Sequence, residues 1–261
     1  MSPPSQALRS AVALFTALPV PRSWHVEMTA PRARAAVAWL PFVGLALGAI
    51  AGLPAVAILA GHDNRRLLAA VVAVALLAML TRALHLDGLA DTTDGLGARA
   101  PAERTLEIMR RSDIGPFGVL AIVFVVLLDV SALTQLPVDS AWAPLVALAT
   151  AAATGRLAVV HACLPGIPSA RPDGFGALVT GGMPRARALI ETIVVLGAGC
   201  ALAASVDADA LAWPLAQAGA LLVAWLLRVQ LTRRIGGMTG DTFGALIELT
   251  TALTLVGFAL A

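Results

Sequence analysis

Long apolar segments separated by shorter polar ones dominate the chain, and they predict an all-α fold that crosses a membrane. Seven of these segments approach or exceed the roughly 20 apolar residues that a helix needs to span a bilayer. A shorter apolar segment at 5–18 contains Arg9 and precedes a Pro19–Val20–Pro21 break, which predicts an interfacial helix at the N-terminus. The seven predicted spans cover residues 34–60, 66–84, 116–136, 142–163, 187–205, 210–230 and 242–260. The pattern therefore predicts a polytopic bundle of about seven transmembrane helices, folded as one domain over residues 1–261.

The composition agrees with a membrane location and narrows the classes of function. Hydrophobic residues make up 59% of the 261 residues and charged residues only 13%, whereas a soluble domain carries roughly a quarter charged residues. The net charge is only +2 and no basic stripe is interleaved with aromatic residues, so we expect no nucleic-acid partner. Cys163 and Cys200 lie in apolar segments without metal or redox spacing, which indicates that they are packing residues.

The arginines are distributed unevenly between the predicted loops, and this distribution predicts the orientation. Arginines precede the first span and occur in the loops after the second, fourth and sixth spans, whereas the loops at 137–141 and 206–209 have none. Since arginine-rich loops stay in the cytoplasm, the N-terminus and the large polar loops are predicted to lie inside. Arg65 and Arg66, after the first span, are the exception. We therefore expect a multi-pass protein of the cell inner (cytoplasmic) membrane with its active site facing the cytoplasm.

An acidic cluster follows the second predicted span, in the stretch His85–Gly95. Asp87, Asp91 and Asp94 follow the i, i+4, i+7 rule, so a helix would carry all three on one face. At about 1.5 Å per residue, the outer two lie about 10 Å apart along the helix. Three like charges repel one another unless a cation binds them, and Mg²⁺ holding substrate phosphates is the natural ligand. The alternative is a solvated helix start, where aspartate is favoured.

A second group of chemically active residues opens the last predicted span. Thr239, Gly240 and Asp241 end a glycine-rich turn that permits close approach of the backbone to a ligand. Glu248 lies seven residues after Asp241, on the same helical face, and should point to a cavity or a partner because a carboxylate inside a membrane is costly. The alternatives are that Asp241 caps the helix and that Glu248 pairs with an arginine such as Arg156 or Arg228.

Several arginines are candidates for binding phosphate. Arg104 and Arg110 lie in the loop 103–118 near the acidic cluster, where they could contact phosphate or serve only as topology signals. Arg82 and Arg156 lie within or at the edge of apolar segments, which favours a function or an ion pair with an aspartate. Arg171 lies in a turn-rich loop at 165–184 that is long enough to be a binding loop. Asp129 is assigned no role.

The residues alone predict a membrane-embedded, Mg²⁺-dependent transferase that acts on a pyrophosphate-linked nucleotide. The segment Asp91–Arg99 resembles the first half of the CDP-alcohol phosphotransferase signature, D-x-x-D-G-x-x-A-R. The second half, G-x-x-x-D-x-x-x-D, should begin at position 108, where this chain has Ile108 and no matching carboxylate pair follows. Because only the first half of the signature is present, a CDP-alcohol phosphotransferase-like enzyme of lipid synthesis is kept as an alternative. A secondary transporter is another, since it would also show intramembrane charge and glycine-broken helices.

The full stretch His85–Leu96 instead resembles cobalamin synthase, the adenosylcobinamide-GDP ribazoletransferase family. Further blocks similar to that family occur in order along the chain. One local difference is found at Arg111–Gly115, where many members have D-S-R-x-G. The similar blocks are Leu106–Arg110, Gly155–Arg156, Ala170–Gly174 and Gly237–Ala245, with Glu248 following.

The resemblance implies the last assembly step of the cobamide nucleotide loop. The substrates would be adenosylcobinamide-GDP and α-ribazole or its 5′-phosphate, with GMP released and adenosylcobalamin or its phosphate formed; a homo-oligomer is left open. Mg²⁺ on the pyrophosphate would screen the developing charge, and a carboxylate or His85 would accept the proton from the attacking hydroxyl. The implied Mg²⁺ ligands are Asp87, Asp91, Asp94, Asp241 and Glu248. The implied phosphate-binding residues are Arg82, Arg104, Arg110, Arg156, Arg171, Thr239 and Gly240.

Overall fold

The computed structural model describes residues 4–24, 27–61, 63–136 and 140–261. Helices make up nearly all of its regular structure, because a backbone in a bilayer must satisfy its own hydrogen bonds and a helix does so within one segment. Two short 3-10 turns, at Arg22–Trp24 and Asp63–Arg65, occur between helices. The α-helices are α1 (Pro4–Phe15), α2 (Ala30–Val37), α3 (Leu40–Leu59), α4 (Arg66–Leu80), α5 (Leu84–Gly97), α6 (Ala102–Ile108), α7 (Pro116–Thr134), α8 (Ala143–Ala162), α9 (Gly174–Val179), α10 (Arg185–Ala204), α11 (Ala212–Ile235) and α12 (Gly240–Ala259).

Within the described residues, six helices are long and apolar enough to cross a membrane, and they confirm six of the seven predicted spans. These helices are α3, α7, α8, α10, α11 and α12. The second predicted span, 66–84, is helical as α4 over Arg66–Leu80 and ends at a break before Leu84. Its first part, α4, has 15 residues and so extends about 22 Å, which is less than the roughly 30 Å of a bilayer core.

The second predicted span is instead a broken one, made of α4 and α5, which are bent by 87° to each other. Arg82 and Ala83 lie in the break, and each has a φ of 54°. This left-handed conformation is uncommon for residues other than glycine and cannot continue a right-handed helix. The break redirects the chain, so that the acidic stretch runs as a separate helix. With the bent pair counted as one span, the bundle has the seven predicted crossings.

Helix α8 is the centre of the bundle and is buried along nearly its whole length. Helix α3 packs directly against it through Gly44, Gly48 and Gly52, where an added Cβ would lie only 2.5–2.6 Å from backbone atoms of α8. Small residues at four-residue spacing allow such close approach of membrane helices. Helix α12 approaches α8 in the same way at Gly155, where a Cβ would lie 2.6 Å from the backbone oxygen of Ile247. The two helices that flank α8 are thereby held rigidly.

The large polar segments meet at one end of the bundle, which we call the loop face. Backbone hydrogen bonds join the segment after α8 to the start of α12, since Met238 donates to Pro168 and Ala170 donates to Met238, both at 3.0 Å. Arg110, after α6, pairs with Asp173 at 3.0 Å. Gly88, in the acidic stretch of α5, lies against the backbone of Asp241 at the start of α12, so the two acidic segments lie at the same end of the bundle, as the sequence predicts. The loop face comprises segments 98–115, 163–184 and 236–239.

The N-terminal segment predicted to be an interfacial helix is helical, as α1. It buries Ala7, Ala11 and Phe15 against the rest of the protein. The chain after it is anchored where the backbone N–H of Ala17 donates to the carbonyl oxygen of Leu80 at 2.6 Å. Helix α1 consequently lies beside the break between α4 and α5, next to the site described below.

Candidate active site

Helices α5 and α12 approach each other closely at two glycines, and this contact brings the two acidic segments together. A Cβ added at Gly88 would lie 2.7 Å from the backbone oxygen of Asp241, and one added at Gly244 would lie 2.8 Å from the backbone oxygen of His85. Neither contact leaves room for a side chain, because backbone atoms cannot move aside as a flexible side chain can. The aspartates of α5 therefore lie beside the first turn of α12.

Three carboxylates form what we call the acidic site: Asp87, Asp91 and Asp241. Asp87 is exposed, whereas Asp91 and Asp241 are partly buried. Asp91 interacts electrostatically with both other members of the site and also with Asp94, and Arg171 is the cation that opposes them. The predicted meeting of carboxylates from two distant segments is thus present in the structure, with an excess of negative charge.

The donor set of the acidic site fits a hard divalent cation bound partly by a substrate. Within the described ranges, no group of three or more His, Cys, Asp or Glu side chains is arranged to hold a metal ion by itself. Mg²⁺ commonly takes one or two carboxylates together with substrate phosphates and waters, and does not need a cage made only of protein ligands. The carboxylates fit that pattern, and magnesium binding remains a prediction.

Arg171 connects the loop after α8 to the acidic site. Its Nη1 donates to Oδ2 of Asp241 at 3.3 Å and its Nη2 donates to the carbonyl oxygen of Leu106 at 2.9 Å. Its Nε is buried without a hydrogen-bond partner among the described residues. The guanidinium therefore lies in contact with the acidic site and uses two of its five N–H donors there, and phosphate binding by Arg171 stays a prediction.

Asp94 has a structural role that its spacing in the sequence does not reveal. Its Oδ2 accepts a hydrogen bond from the backbone N–H of Gly115 at 2.6 Å, and its Oδ1 accepts one from Gly118 at 2.8 Å. These N–H groups belong to the start of α7, where a helix leaves its first donors unpaired. Asp94 therefore caps α7 from α5, and its assignment as a magnesium ligand stays a prediction.

Thr239 caps α12, and Gly240 follows it on the surface. The Thr239 hydroxyl accepts from the backbone N–H of Thr242 at 3.2 Å, while the Thr242 hydroxyl accepts from the backbone N–H of Thr239 at 2.8 Å. This reciprocal capping box fixes the start of the helix. Gly240 is exposed, and its backbone can contact a ligand, so phosphate binding at these two positions stays a prediction.

Three of the predicted phosphate-binding arginines lie on the surface. Arg82 is exposed in the break after α4. Arg104 pairs with Glu107 at 2.7 Å, and both side chains are more than half exposed. Arg110 pairs with Asp173 and is likewise exposed. Exposed pairs of this kind contribute little stability, so Arg104 and Arg110 can exchange their partners for a phosphate at little cost.

His85, Arg156 and Glu248 form a second group, which is buried deeper in the bundle. Nη2 of Arg156 lies 3.2 Å from Nδ1 of His85, and Oε1 of Glu248 lies 3.8 Å from the same nitrogen. Glu248 is seven residues beyond Asp241, which places it about 10 Å deeper along α12. The structure therefore does not bring Glu248 into the acidic site, although it was predicted to share the metal there. The open alternative, a Glu248 balanced by Arg156, is supported by their electrostatic interaction.

Asp129 was missed by the sequence reasoning. It is buried in α7, and it lines a small cavity together with Glu248, Thr81 and Leu86. The signal that could have found it is its position inside an apolar span, because an ionisable residue at membrane depth usually faces a partner or a cavity.

An apolar cavity of about 200 Å³ adjoins both groups. Asp87 and Asp241 line it together with His85, so the cavity connects the acidic site to the buried group. Most of the wall is apolar, and three phenylalanines contribute to it. The apolar lining residues are Leu14, Phe15, Leu40, Leu84, Val159, Phe175, Phe243 and Ile247.

Comparison with known proteins identifies the family to which the chain belongs. The family model described as cobalamin-5-phosphate synthase matches residues 7–259. This chain belongs to the cobalamin-5-phosphate synthase family. The family match covers every residue assigned above to the acidic site, the buried group and the cavity, and it confirms the resemblance found in the sequence.

Curated relatives of this family member are similar over most of their lengths. A protein of Frankia casuarinae named adenosylcobinamide-GDP ribazoletransferase is 44% identical over 97% of this chain and 94% of its own length. Proteins with the same name from Klebsiella pneumoniae and Stutzerimonas stutzeri are 38% and 42% identical, over 95% and 84% of this chain and 96% and 84% of their own lengths. No solved structure matches the chain.

Proposed function

We propose that this protein transfers the adenosylcobinamide phosphate group from adenosylcobinamide-GDP to α-ribazole or α-ribazole 5′-phosphate and releases GMP. The product would be adenosylcobalamin or its 5′-phosphate, at the end of cobalamin synthesis. Support comes from membership in the cobalamin-5-phosphate synthase family over nearly the whole chain and from relatives named for this reaction. The observation that carries the chemistry is the convergence of Asp87, Asp91 and Asp241 where α5 meets the first turn of α12, next to the loop face.

In the proposed reaction, a ribose hydroxyl of the acceptor attacks the phosphorus that carries the cobinamide. A new P–O bond forms to that hydroxyl oxygen, and the bond from the same phosphorus to the bridging oxygen of the pyrophosphate breaks. The bridging oxygen and its electron pair leave with GMP, and the hydroxyl proton passes to a base. The protein has to hold the two negatively charged phosphates, orient the hydroxyl and accept this proton.

Magnesium is the cofactor that best fits these requirements. One or two of the carboxylates of Asp87, Asp91 and Asp241 would hold the ion together with substrate phosphates and waters, and an anionic pyrophosphate would not bind there without a cation. When bound, Mg²⁺ would neutralise charge on the pyrophosphate and on the departing GMP. Arg171 would contact the phosphates through N–H groups that its bonds to Asp241 and Leu106 leave free, and Arg110 could reach them by leaving Asp173.

A carboxylate of the acidic site, rather than His85, is the better candidate for the base. Nδ1 of His85 faces a guanidinium of Arg156, which can only donate hydrogen bonds. The proton of a neutral imidazole is then on Nε2, so neither ring nitrogen is free to accept another. Asp91 lies within a cluster of like charges, where taking up a proton relieves repulsion.

The loop face is proposed to lie in the cytoplasm, with the protein in the cell inner membrane. Arginines are common in the segments that form this face, and such loops remain on the cytoplasmic side. Nucleotide substrates are found in that compartment. An epitope inserted in the loop 98–115 should be inaccessible in intact cells and accessible in inverted membranes.

The proposed reaction is tested with purified protein, adenosylcobinamide-GDP, α-ribazole 5′-phosphate and Mg²⁺, by measuring GMP and the corrinoid product. We expect both products, loss of both when the metal is chelated, and recovery when Mg²⁺ is added back. Asp91→Asn should abolish release of GMP, while the control Asp207→Asn, in an exposed segment outside the site, should not. Absence of GMP with the wild-type protein would reject the proposal, and corrinoid flux without GMP would favour the transporter alternative.

A further inference from the structure

The apolar cavity beside the acidic site has the size and lining of a pocket for one aromatic ring system. Its volume is about 200 Å³, smaller than the roughly 300–1,000 Å³ of pockets that enclose a whole drug-sized ligand. Phe175 lies edge-on to Phe15 and to Phe243, with ring centroids 5.4 and 6.3 Å apart. Aromatic rings prefer this edge-to-face geometry, which a flat aromatic ligand could extend.

The cavity wall also contains one polar side chain whose hydrogen-bonding need is unmet. His85 lines the cavity and is only 4% exposed. Its Nδ1 lies 3.2 Å from Nη2 of Arg156; the guanidinium can only donate, so Nδ1 accepts and the proton lies on Nε2. Among the described residues, Nε2 has no hydrogen-bond partner. Nε2 itself has almost no accessible surface as the side chain lies. Because a buried donor without a partner is costly, a ligand in the cavity that brings an acceptor atom to Nε2 would be favoured.

The cavity wall combines two kinds of chemistry. Asp87 is exposed and lines the cavity with Asp241, so the cavity borders the predicted phosphate site. The rest of the wall is apolar apart from His85. A ligand that fits both has an aromatic base with one acceptor nitrogen and a sugar that presents a hydroxyl to the acidic site. A lipid acyl chain would fill the apolar part but would leave Nε2 unpaired.

We propose that this cavity binds the base of the acceptor nucleoside, and that the free imidazole nitrogen of the base accepts a hydrogen bond from Nε2–H of His85. This inference rests on the proposed function. The base of α-ribazole is a benzimidazole attached to the ribose through one ring nitrogen, and its other ring nitrogen is an acceptor. His85 is then a specificity-determining residue, and Arg156 is a positioning residue that fixes its tautomer.

The hydrogen bond predicts a preference that can be measured directly. An indole nucleoside with the same ribose replaces the acceptor nitrogen by carbon while keeping the shape of the base. The wild-type protein should bind it about 10-fold or more weakly than the benzimidazole nucleoside, because the buried Nε2–H is then left unpaired. Sites built to hydrogen-bond a ligand reject analogues that lack the partner for this reason.

The experiment measures equilibrium binding of the two nucleosides to the full chain in nanodiscs, without adenosylcobinamide-GDP. In His85→Phe, which keeps a ring and removes the donor, the two affinities should become equal within about twofold. His85→Gln retains an N–H donor and should recover part of the preference. The matched control is His161→Phe, which makes the same change at a histidine that bonds to Thr192 and does not line the cavity, and it should keep the wild-type ratio.

The possible outcomes separate this inference from the proposed reaction. Equal binding of the two nucleosides by the wild-type protein, or an unchanged ratio in His85→Phe, would overturn the base pocket even if GMP were released normally. A purely catalytic or structural role of His85 would change both nucleosides alike and leave their ratio unchanged. If the wild-type protein binds with the expected preference but never releases GMP, the base pocket is supported and the proposed transfer reaction is rejected. A cavity filled by co-purified lipid that no nucleoside displaces would also overturn the inference.

Discussion

Asp94 is the residue at which a structural role and a catalytic role can be separated most sharply. Its carboxylate accepts backbone N–H groups of Gly115 and Gly118 at 2.6 and 2.8 Å, and so caps α7 from another helix. Asp94→Ala would leave both donors without this partner. We therefore expect Asp94→Ala to reduce the free energy of unfolding, and Asp94→Asn, which keeps one acceptor oxygen, to reduce it less.

The size of the effect follows from the two hydrogen bonds. Loss of a helix cap costs about 0.5–2 kcal/mol, and a hydrogen bond to a charged group contributes about 1.5–3 kcal/mol. Asp94 is only partly buried, so water replaces part of what is lost, and about 2–3 kcal/mol is expected for Asp94→Ala. Each kcal/mol shifts the melting temperature of a protein of this size by roughly 2–4 °C. The melting temperature should accordingly fall by roughly 4–12 °C.

The assay compares apparent melting temperature and GMP release for both Asp94 variants and for Asp91→Ala in the same detergent. Asp91→Ala should lose GMP release without a fall in melting temperature, since removing one of several like charges relieves repulsion. If Asp94→Ala melted like the wild-type protein and yet released no GMP, the capping argument would be refuted. Asp94 would then act in the chemistry, as its spacing with Asp91 first indicated.

Three further substitutions test packing, ion pairing and pH dependence. Gly88→Ala would put a Cβ 2.7 Å from the backbone oxygen of Asp241; it should lower the free energy of unfolding by about 1–3 kcal/mol and abolish GMP release. The control Gly219→Ala, where no described atom lies within 4 Å of the added Cβ, should leave both the stability and GMP release unchanged. Arg171→Ala breaks a largely buried ion pair with Asp241, so the free energy of unfolding, measured by thermal unfolding, should fall by about 3 kcal/mol. An unchanged melting temperature would contradict the pairing. Asp209 accepts two backbone N–H groups at the start of α11, which lower the pKa of its carboxyl below the ordinary value. The stabilisation is therefore present at neutral pH and lost as the pH falls through that lowered pKa, so the melting temperatures of wild type and Asp209→Ala should converge in acid.

The hydropathy pattern is sufficient to predict the transmembrane helices, but it does not predict the break between α4 and α5. Neither glycine nor proline occurs between Leu80 and Leu84, and the break is made by Arg82 and Ala83 in a left-handed conformation. Local hydrogen bonds accompany the break, such as that from Ala83 to Ala78, and Ala17 donates to Leu80 beside it, but no residue type in the sequence marks the position. The apolar pattern therefore predicts a span over 66–84 and does not show that the chain turns sharply at its end.

The spacing of charged residues predicted which carboxylates share a helix face but not what each contacts. Asp87 and Asp91 lie on α5 as the i, i+4 rule required, and Asp241 meets them because two glycines permit contact between helices. The partners of Asp94 lie 21 and 24 residues further along the chain, beyond the reach of any periodicity argument. Glu248 shares a face with Asp241, yet its depth puts it beside a residue of another span, Asp129. Helical periodicity determines the direction in which a side chain points around the helix axis. Only the packing of the helices shows which residues that side chain contacts.

The distribution of charge along α5 and α12 explains why the proposed chemistry belongs to the surface end of these helices. In the deeper group, the cation Arg156 faces Glu248 and holds His85 in a neutral tautomer, as a low-dielectric interior requires of charges that cannot be hydrated. In the acidic site, within the described residues, Arg171 alone opposes the surrounding carboxylates. Such an excess is tolerated only where water or a bound cation can reach it, and an anionic pyrophosphate can approach only when that cation is present. The charges at the deep end of these helices are thus paired within the protein, whereas those at the surface end are in excess, and the cavity adjoins both groups.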